Sequence, residues 1–172
     1  TDICDGESQG TDGINYSLAS REMIANMIEI HANATPFDAG VYLASCDKGM
    51  PANLMGLFRV NIPAVVVPGG TMNAGPEMLT LEQLGKYSAQ YERGEIDKNR
   101  LNWAKHNACP GCGACSFIGT ASTMQIMAEA LGLALPGSAL MPAESPDLLT
   151  YARPAGEQAV KLAQMDAMRP SA

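Results

Sequence analysis

Two short apolar runs, 40–45 and 64–67, restrict the possible folds more than any other feature of this sequence. Each is apolar at consecutive positions rather than at alternate ones, which is typical of a strand buried in a parallel sheet. Between them, Pro51 suits the first turn of a helix that is expected to reach Arg59. Because short buried strands alternate with helices, the sequence predicts an α/β domain with a largely parallel sheet flanked by helices.

Segments outside these runs fit the same architecture. Apolar residues at helical spacing predict a helix over 17–33, and a polar, glycine-rich stretch predicts a loop over 1–13. The rest of the chain is expected to add helices over 80–93, 120–131 and from 154 onward, and a short strand over 139–141. The sequence contains no internal repeat, so we expect one domain over 1–172.

The composition indicates a folded, acidic domain. Hydrophobic residues make up 47% of the chain and charged residues 17%, which allows a core and disfavours disorder. The formal net charge of −7 argues against nucleic acid or an anionic membrane surface as a partner. No apolar run approaches the roughly 20 residues that cross a bilayer, and the start has no signal-peptide pattern. We therefore expect a cytoplasmic location, or an organelle matrix in a eukaryote.

Because the sequence begins abruptly with Thr1 on a motif, we interpret it as a piece of a longer protein.

The five cysteines favour metal chemistry over disulfides. Their number is odd, no export signal accompanies them, and three are crowded within seven residues: Cys109, Cys112 and Cys115. One interpretation is a structural zinc site with His106 or Cys46 as the fourth ligand, which would make the chain a zinc-stabilised binding module. A ferredoxin-type run is disfavoured, because its fourth cysteine belongs at position 119, which is glycine.

A second candidate site is the triplet Cys46-Asp47-Lys48, which follows the first predicted strand. Ligands in open α/β sheets bind beyond the carboxyl ends of the strands, so the triplet is well placed for function. A thiolate suits iron or zinc, whereas a carboxylate suits magnesium, so two different metals could meet over one substrate here. The alternative is a buried cysteine followed by two solvated charges.

Taken together, these segments resemble the dihydroxy-acid dehydratase and phosphogluconate dehydratase family. The matching motifs occur in the family's order over nearly the whole chain. They are Cys4-Asp5-Gly6, Tyr16-Ser17-Leu18, Ser20-Arg21-Glu22, Cys46-Asp47-Lys48, Asn61-Ile62-Pro63, Pro68-Gly69-Gly70, Gly113-Ala114-Cys115, Gly119-Thr120-Ala121-Ser122-Thr123-Met124 and Glu129-Ala130-Leu131-Gly132. One departure bears on the substrate: the family commonly has Pro-Gly after the Cys-Asp-Lys motif, where this chain has Pro51-Ala52.

The resemblance implies roles for five residues. Cys46 and Cys115 would ligate an iron–sulfur cluster of the [2Fe–2S] or [4Fe–4S] type, and Asp5 and Asp47 would bind Mg²⁺. Lys48 would bind magnesium as well, after carbamylation turns its amine into an anionic oxygen ligand. A further cluster cysteine is expected upstream of this sequence.

The resemblance also implies an activity. The intact protein would be a hydro-lyase that dehydrates a 2,3-dihydroxy carboxylic acid to a 2-oxo acid. The first assignment is the dehydratase of branched-chain amino-acid biosynthesis. A sugar-acid dehydratase, acting on an aldonate or phosphogluconate, is the alternative. The serine that acts as the base and removes the C2 proton is expected in a C-terminal barrel-like domain. No catalytic residue is therefore assigned within 1–172, and this piece alone is expected to be inactive. The intact enzyme is expected to be a homodimer or homotetramer.

Overall fold

The computed structural model describes residues 3–165 and 170. These residues contain two strands and eight α-helices; one helix separates the two strands, and five helices follow the second strand. They are α1 (Asp5–Ser8), α2 (Ser17–Ala34), β1 (Gly40–Ala44), α3 (Gly49–Val60), β2 (Ala64–Pro68), α4 (Leu84–Glu92), α5 (Lys98–Asn107), α6 (Thr120–Ala130), α7 (Pro146–Thr150) and α8 (Ala152–Ala163). Short 3₁₀ turns cover Asp12–Tyr16, Pro76–Met78 and Leu81–Gln83.

The sheet is a parallel pair of strands, with Gly40 opposite Ala64 and Ala44 opposite Pro68. β2 is buried along its whole length, and its alternate residues serve two separate cores. Val66 packs with residues of α3 and α6, whereas Val65 and Val67 pack against α8. The sheet therefore lies between two helical layers, as the α/β prediction requires.

Close packing of α2 on α3 closes the first of these layers. Gly56 makes it possible, because a Cβ at this position would lie 2.7 Å from the Ile28 side chain. Met50, Leu54 and Leu57 of α3 belong to the main apolar cluster beneath the sheet, and Ile28 packs against the same cluster. The helix that carries them begins immediately after Lys48, so its packing fixes the position of the Cys46-Asp47-Lys48 triplet.

Most predicted helices and strands are confirmed, with ends that lie within two residues of the predicted ones. Helix α3 begins at Gly49, which places Pro51 in its first turn as predicted, and α8 begins at Ala152 rather than at Pro154. The loop predicted for 1–13 contains α1 and the start of a 3₁₀ turn, while positions 1 and 2 lie outside the described residues.

Three details of the prediction were wrong. Residues 139–141 form no strand; instead single bridges join Thr71 to Pro142 and Val66 to Ala134. Strand β1 is only half-buried, because α8 covers β2 more than it covers β1 and leaves Leu43 72% exposed. Helix α5 was not predicted, since its polar composition hides the apolar spacing that packs it against Leu79.

The helix predicted over 80–93 is confirmed in outline but begins later, at Leu84. A 3₁₀ turn precedes α4, and the Thr80 hydroxyl makes no capping hydrogen bond, since the Gln83 amide donates to the Thr80 carbonyl instead. In the part of the chain that the structure describes, no helix is both long enough and apolar enough to cross a membrane.

Candidate functional site

The site forms where the two strands end, because parallel strands place their carboxyl ends at one edge of the sheet. Cys46 follows β1 after a single residue, and Gly69 follows β2 directly. The Gly69 amide donates to the Ala44 carbonyl at 2.8 Å. A Cβ on Gly69 would lie 2.7 Å from the Ser45 Cβ, so the two strand ends are in close contact.

The segment after β2 brings the second cysteine loop to the same edge. The Ala114 amide donates to the Gly70 carbonyl at 2.9 Å, and the Met72 amide donates to the Ala114 carbonyl at 2.6 Å. Cys115 is the next residue, so its position is set by backbone pairing rather than by the cysteine side chain. Gly70 adopts a φ of +90° and packs against Ala143, which a larger residue could not do.

The predicted magnesium residues also converge, although Asp5 is far from the others in sequence. The Lys48 ammonium donates to Asp5 Oδ2 at 2.9 Å and to Asp47 Oδ2. Asp5 Oδ1 accepts a hydrogen bond of 2.5 Å from the hydroxyl of Ser17, which is buried at the start of α2. Two carboxylates therefore share one cation, whose side chain is only 12% exposed.

The electrostatics of this group follow from that geometry. Burial opposes ionisation of Asp5, but hydrogen bonds from Ser17 and Lys48 outweigh it, so the pKa of Asp5 lies below its usual value. Burial likewise opposes the charge on Lys48, but its bonds to Asp47 and Asp5 outweigh this effect and raise the pKa of Lys48. These surroundings therefore favour the charged forms of Asp5 and Lys48, which face each other across the 2.9 Å hydrogen bond.

All five cysteines lie within residues 3–165, and all are thiols rather than disulfides. Cys46 and Cys115 are half-buried, and the others are exposed. Burial raises the pKa of the Cys115 thiol, and the nearby Cys46, Cys109 and Cys4 raise it further. Burial and the nearby Cys4 also raise the pKa of Cys109. Cys4, which the sequence did not group with the other cysteines, is thus near enough to Cys109 and Cys115 to raise the pKa of both thiols.

The zinc interpretation fits this geometry poorly. Among the described residues, no three histidine, cysteine, aspartate or glutamate side chains are placed to hold one metal ion. Cys112 turns toward Glu144 instead: its amide donates to Glu144 Oε1 at 3.4 Å. His106 Nδ1 contacts its own helix at the Asn102 carbonyl, 2.7 Å away. A mononuclear site on the Cys109–Cys115 loop is therefore not preformed.

The donor sets suit the groups that the resemblance implies. Asp5 and Asp47 direct two anionic oxygens at one cation, which is the kind of ligand that magnesium prefers. Among the described residues no third carboxylate joins them, and Lys48 is the residue that carbamylation would turn into a further anionic ligand. Cys46 and Cys115 are half-buried thiols on two backbone-anchored loops, and cysteine thiolates are the usual ligands of iron–sulfur clusters.

Sequence reasoning missed several residues around the thiols. Within the described part of the chain, three buried polar side-chain atoms have no hydrogen-bond partner: Thr71 Oγ1, Ser116 Oγ and Gln125 Oε1. Each belongs to a residue next to the site, since Thr71 pairs with the Cys115 loop, Ser116 follows Cys115, and Gln125 contacts Ser45. Unpaired buried polar atoms are uncommon in folded proteins, so each one calls for a physical explanation. Ser17 had a usable signal, because it lies in the Tyr16-Ser17-Leu18 motif.

Comparison with known proteins identifies relatives along the whole chain. The family model "Dihydroxy-acid/6-phosphogluconate dehydratase N-terminal" matches residues 1–172. "Dihydroxy-acid dehydratase 2" of Staphylococcus saprophyticus is 46% identical over 165 residues, which cover 93% of this chain and 29% of the relative. "Dihydroxy-acid dehydratase" of Caldicellulosiruptor bescii is 41% identical over 172 residues, which cover 98% of this chain and 31% of the relative.

The coverage of this match is one-sided. "Dihydroxy-acid dehydratase" of Solidesulfovibrio magneticus is 42% identical over 163 residues, again 93% of this chain but 29% of the relative. The chain therefore spans less than a third of the length of these relatives. Because the family model extends over every residue, the chain belongs to the dihydroxy-acid/6-phosphogluconate dehydratase N-terminal family.

Proposed function

We propose that this chain is the cofactor-binding part of a hydro-lyase that dehydrates a 2,3-dihydroxy carboxylic acid to a 2-oxo acid. The observation that carries the proposal is the convergence of Asp5 and Asp47 on Lys48, directly beside Cys46. This arrangement places carboxylate oxygens, which suit magnesium, beside a thiolate, which suits iron, at the end of one strand. Two metals that act on one substrate require such a combination of ligands. Relatives named dihydroxy-acid dehydratase support the same reaction.

The proposed magnesium ligands are Asp5, Asp47 and Lys48, the last as a carbamate. Carbamylation joins the neutral lysine amine to the carbon of carbon dioxide, and the nitrogen then loses a proton. The product carries a negative oxygen where the amine was positive, so three anionic groups would face one dication. Ser17 holds the Asp5 carboxylate in place through its second oxygen. Bound magnesium supplies positive charge for the substrate carboxylate and 2-hydroxyl.

Cys46 and Cys115 are the proposed ligands of an iron–sulfur cluster, of the [2Fe–2S] or [4Fe–4S] type. The cluster supplies a Lewis acid for the 3-hydroxyl, which is the leaving group. The chain's own contribution is to hold the two thiols on loops that backbone hydrogen bonds fix to the sheet edge. Dehydration also needs a base for the C2 proton, and we assign none within this chain.

We propose the branched-chain dihydroxy acid as the first substrate to test, because the curated relatives quoted above carry the dihydroxy-acid dehydratase name. The alternative is a sugar acid. Ala52 motivates this alternative, because it is fully buried in α3 where the family commonly has glycine, and the resemblance implies that sugar-acid dehydratases vary at this position. The homodimer or homotetramer and the cytoplasmic location stay predictions.

The test is to purify the full-length protein without oxygen and to measure iron, acid-labile sulfide, zinc and magnesium. We expect near-equal iron and sulfide, and turnover of 2,3-dihydroxy-isovalerate that depends on added magnesium. Cys46→Ser and Cys115→Ser are expected to lose most of the iron and sulfide. Cys112→Ser is the matched control and should keep both, because Cys112 faces Glu144. Zinc without sulfide would overturn the cluster, and turnover of aldonates alone would move the assignment to the sugar-acid alternative.

A further inference from the structure

Gln125 is a fully buried amide in the middle of α6, where its buried neighbours are small. Its Nε2 donates to the carbonyl of Ser45 at 3.0 Å. Its Oε1 is also buried and lacks a hydrogen-bond partner among the described residues. An unpaired buried acceptor destabilises the folded state, because it has lost its hydrogen bonds to water. A leucine or methionine of similar size would fill this space without that cost, so packing alone does not explain a glutamine here.

The two ends of this contact connect the two thiol loops. Ser45 is the residue before Cys46, and it is already pressed against Gly69. Helix α6 begins five residues after Cys115, and the hydroxyl of the buried Ser122 donates to the Phe117 carbonyl in the intervening turn. The Gln125 amide therefore joins the helix that follows one thiol loop to the backbone that precedes the other thiol.

We propose that Gln125 is a positioning residue that fixes the backbone of Cys46 relative to the Cys115 loop. This inference rests on the proposed function, in which both thiols ligate one cluster. The carbonyl of Ser45 belongs to the peptide group that joins Ser45 to Cys46. Holding that oxygen restricts rotation of the peptide plane, and hence the direction in which the Cys46 side chain leaves the backbone. Loss of the bond would alter the cluster's surroundings without removing a ligand.

The test compares Gln125→Met with Met124→Ala in the full-length protein. Gln125→Met keeps the volume and removes the hydrogen bond, whereas Met124→Ala removes packing from the same helix and leaves Ser45 untouched. We expect Gln125→Met to bind the wild-type amount of iron but to show changed visible circular dichroism and a shifted reduction potential. Met124→Ala should lower stability and leave both signatures unchanged. Unchanged signatures in Gln125→Met, or equal changes in both variants, would overturn the proposal.

A second measurement separates this proposal from the proposed function. Hydrogen exchange is followed in the metal-free protein, over the peptide that covers residues 45–50. We expect exchange there to be about fivefold faster in Gln125→Met and unchanged in Met124→Ala, as the loss of one local hydrogen bond requires. If the wild-type protein carries no cluster, the proposed function fails, and this measurement alone decides the role of Gln125. Exchange that is unchanged, or faster throughout the chain, would then refute it.

Discussion

Gly70 shows how one residue sets the spacing of the loops at the site. It has a φ of +90°, and a Cβ there would lie 2.6 Å from Ala143 Cα. Gly94 has a φ of +73°, but nothing lies within 4 Å of the place where its Cβ would be. A comparison of alanine substitutions at Gly70 and Gly94 therefore distinguishes the effect of backbone strain, which both share, from that of steric crowding, which only Gly70 has.

We predict that Gly70→Ala lowers the free energy of unfolding by about 3 kcal/mol or more, and Gly94→Ala by about 1 kcal/mol. Both substitutions force alanine into a left-handed conformation, but only the first also drives a methyl group into a neighbouring backbone. Urea denaturation of the two variants measures the difference. Equal losses would mean that the loops around Gly70 can separate freely.

The Glu129 carboxylate anchors a loop by accepting hydrogen bonds from two backbone amides. The donors are the amides of Gly137 at 2.7 Å and Ala139 at 2.8 Å. These bonds hold the pKa of Glu129 below its ordinary value of 4.5. The carboxylate thus secures the loop that runs from α6 toward Met141, whose carbonyl accepts from the Thr71 amide.

We predict a pH-dependent effect of Glu129→Gln on stability. A pKa that is lowered in the folded state contributes stability above the unfolded pKa, and this contribution is lost as pH falls through the folded pKa. At pH 7 the variant should therefore be less stable by about 1 kcal/mol, a value discounted because the group is near solvent. The difference should shrink as pH falls below 4.5. Thermal unfolding between pH 3 and 7 tests this, and a difference that stays constant would contradict it.

At the scale of elements, α5 illustrates a helix that depends on its cap and its packing. The Asp97 side chain accepts a hydrogen bond of 2.8 Å from the Arg100 amide at the start of the helix. Farther along, Leu101 and Ala104 are buried, and the Arg100 guanidinium lies 4.0 Å from the centre of the Trp103 ring. The sequence contained both helix signals: a capping aspartate, and apolar residues spaced three to four positions apart after it. The polar composition of the segment concealed them.

We predict that Asp97→Ala lowers the free energy of unfolding by about 1 kcal/mol, because the amide of Arg100 loses its acceptor. Asp97→Asn is the matched control: it keeps an acceptor oxygen and should lose only a few tenths of a kcal/mol. Chemical denaturation of both variants provides the comparison. If asparagine and alanine are equally harmful, the charge of Asp97 matters and the cap does not.

At the scale of the whole molecule, the main apolar cluster supports both the sheet and the site. Leu57 in α3 is fully buried in this cluster, together with Val66 of β2 and Ala128 of α6. Because α3 follows Lys48 and α6 follows the Cys115 loop, loss of packing here should loosen both halves of the site. Leu149 in α7 is 76% exposed and serves as the reference for the same substitution without burial.

We predict that Leu57→Ala lowers the free energy of unfolding by about 2–5 kcal/mol, through lost burial and the cavity that remains. Leu149→Ala should change it by less than about 0.5 kcal/mol. Calorimetry on the two variants tests the assignment of the core. A loss below about 1 kcal/mol for Leu57→Ala would mean that the cluster rearranges to fill the space.

The sequence determined the local part of this protein. Apolar spacing predicted α2, β2 and α6, since periodicity reflects which face of an element is buried. Residue types predicted that Cys46, Asp47 and Lys48 follow a strand, where α/β proteins place their ligands. The ordered motifs led to a family that comparison with known proteins then confirmed.

Tertiary structure decided how distant residues meet, apart from the set of Asp5, Asp47 and Lys48 that the family resemblance had already implied. Asp5 reaches Lys48 across 43 positions, and Gln125 reaches Ser45 across 80, although neither pairing leaves a periodic trace in the sequence. The same holds for 139–141, where apolar residues predicted a strand but backbone pairing reached only Pro142 and Ala134. The physical reason is that local patterns encode burial and backbone conformation. Contacts between distant segments depend instead on how the helices and strands pack together.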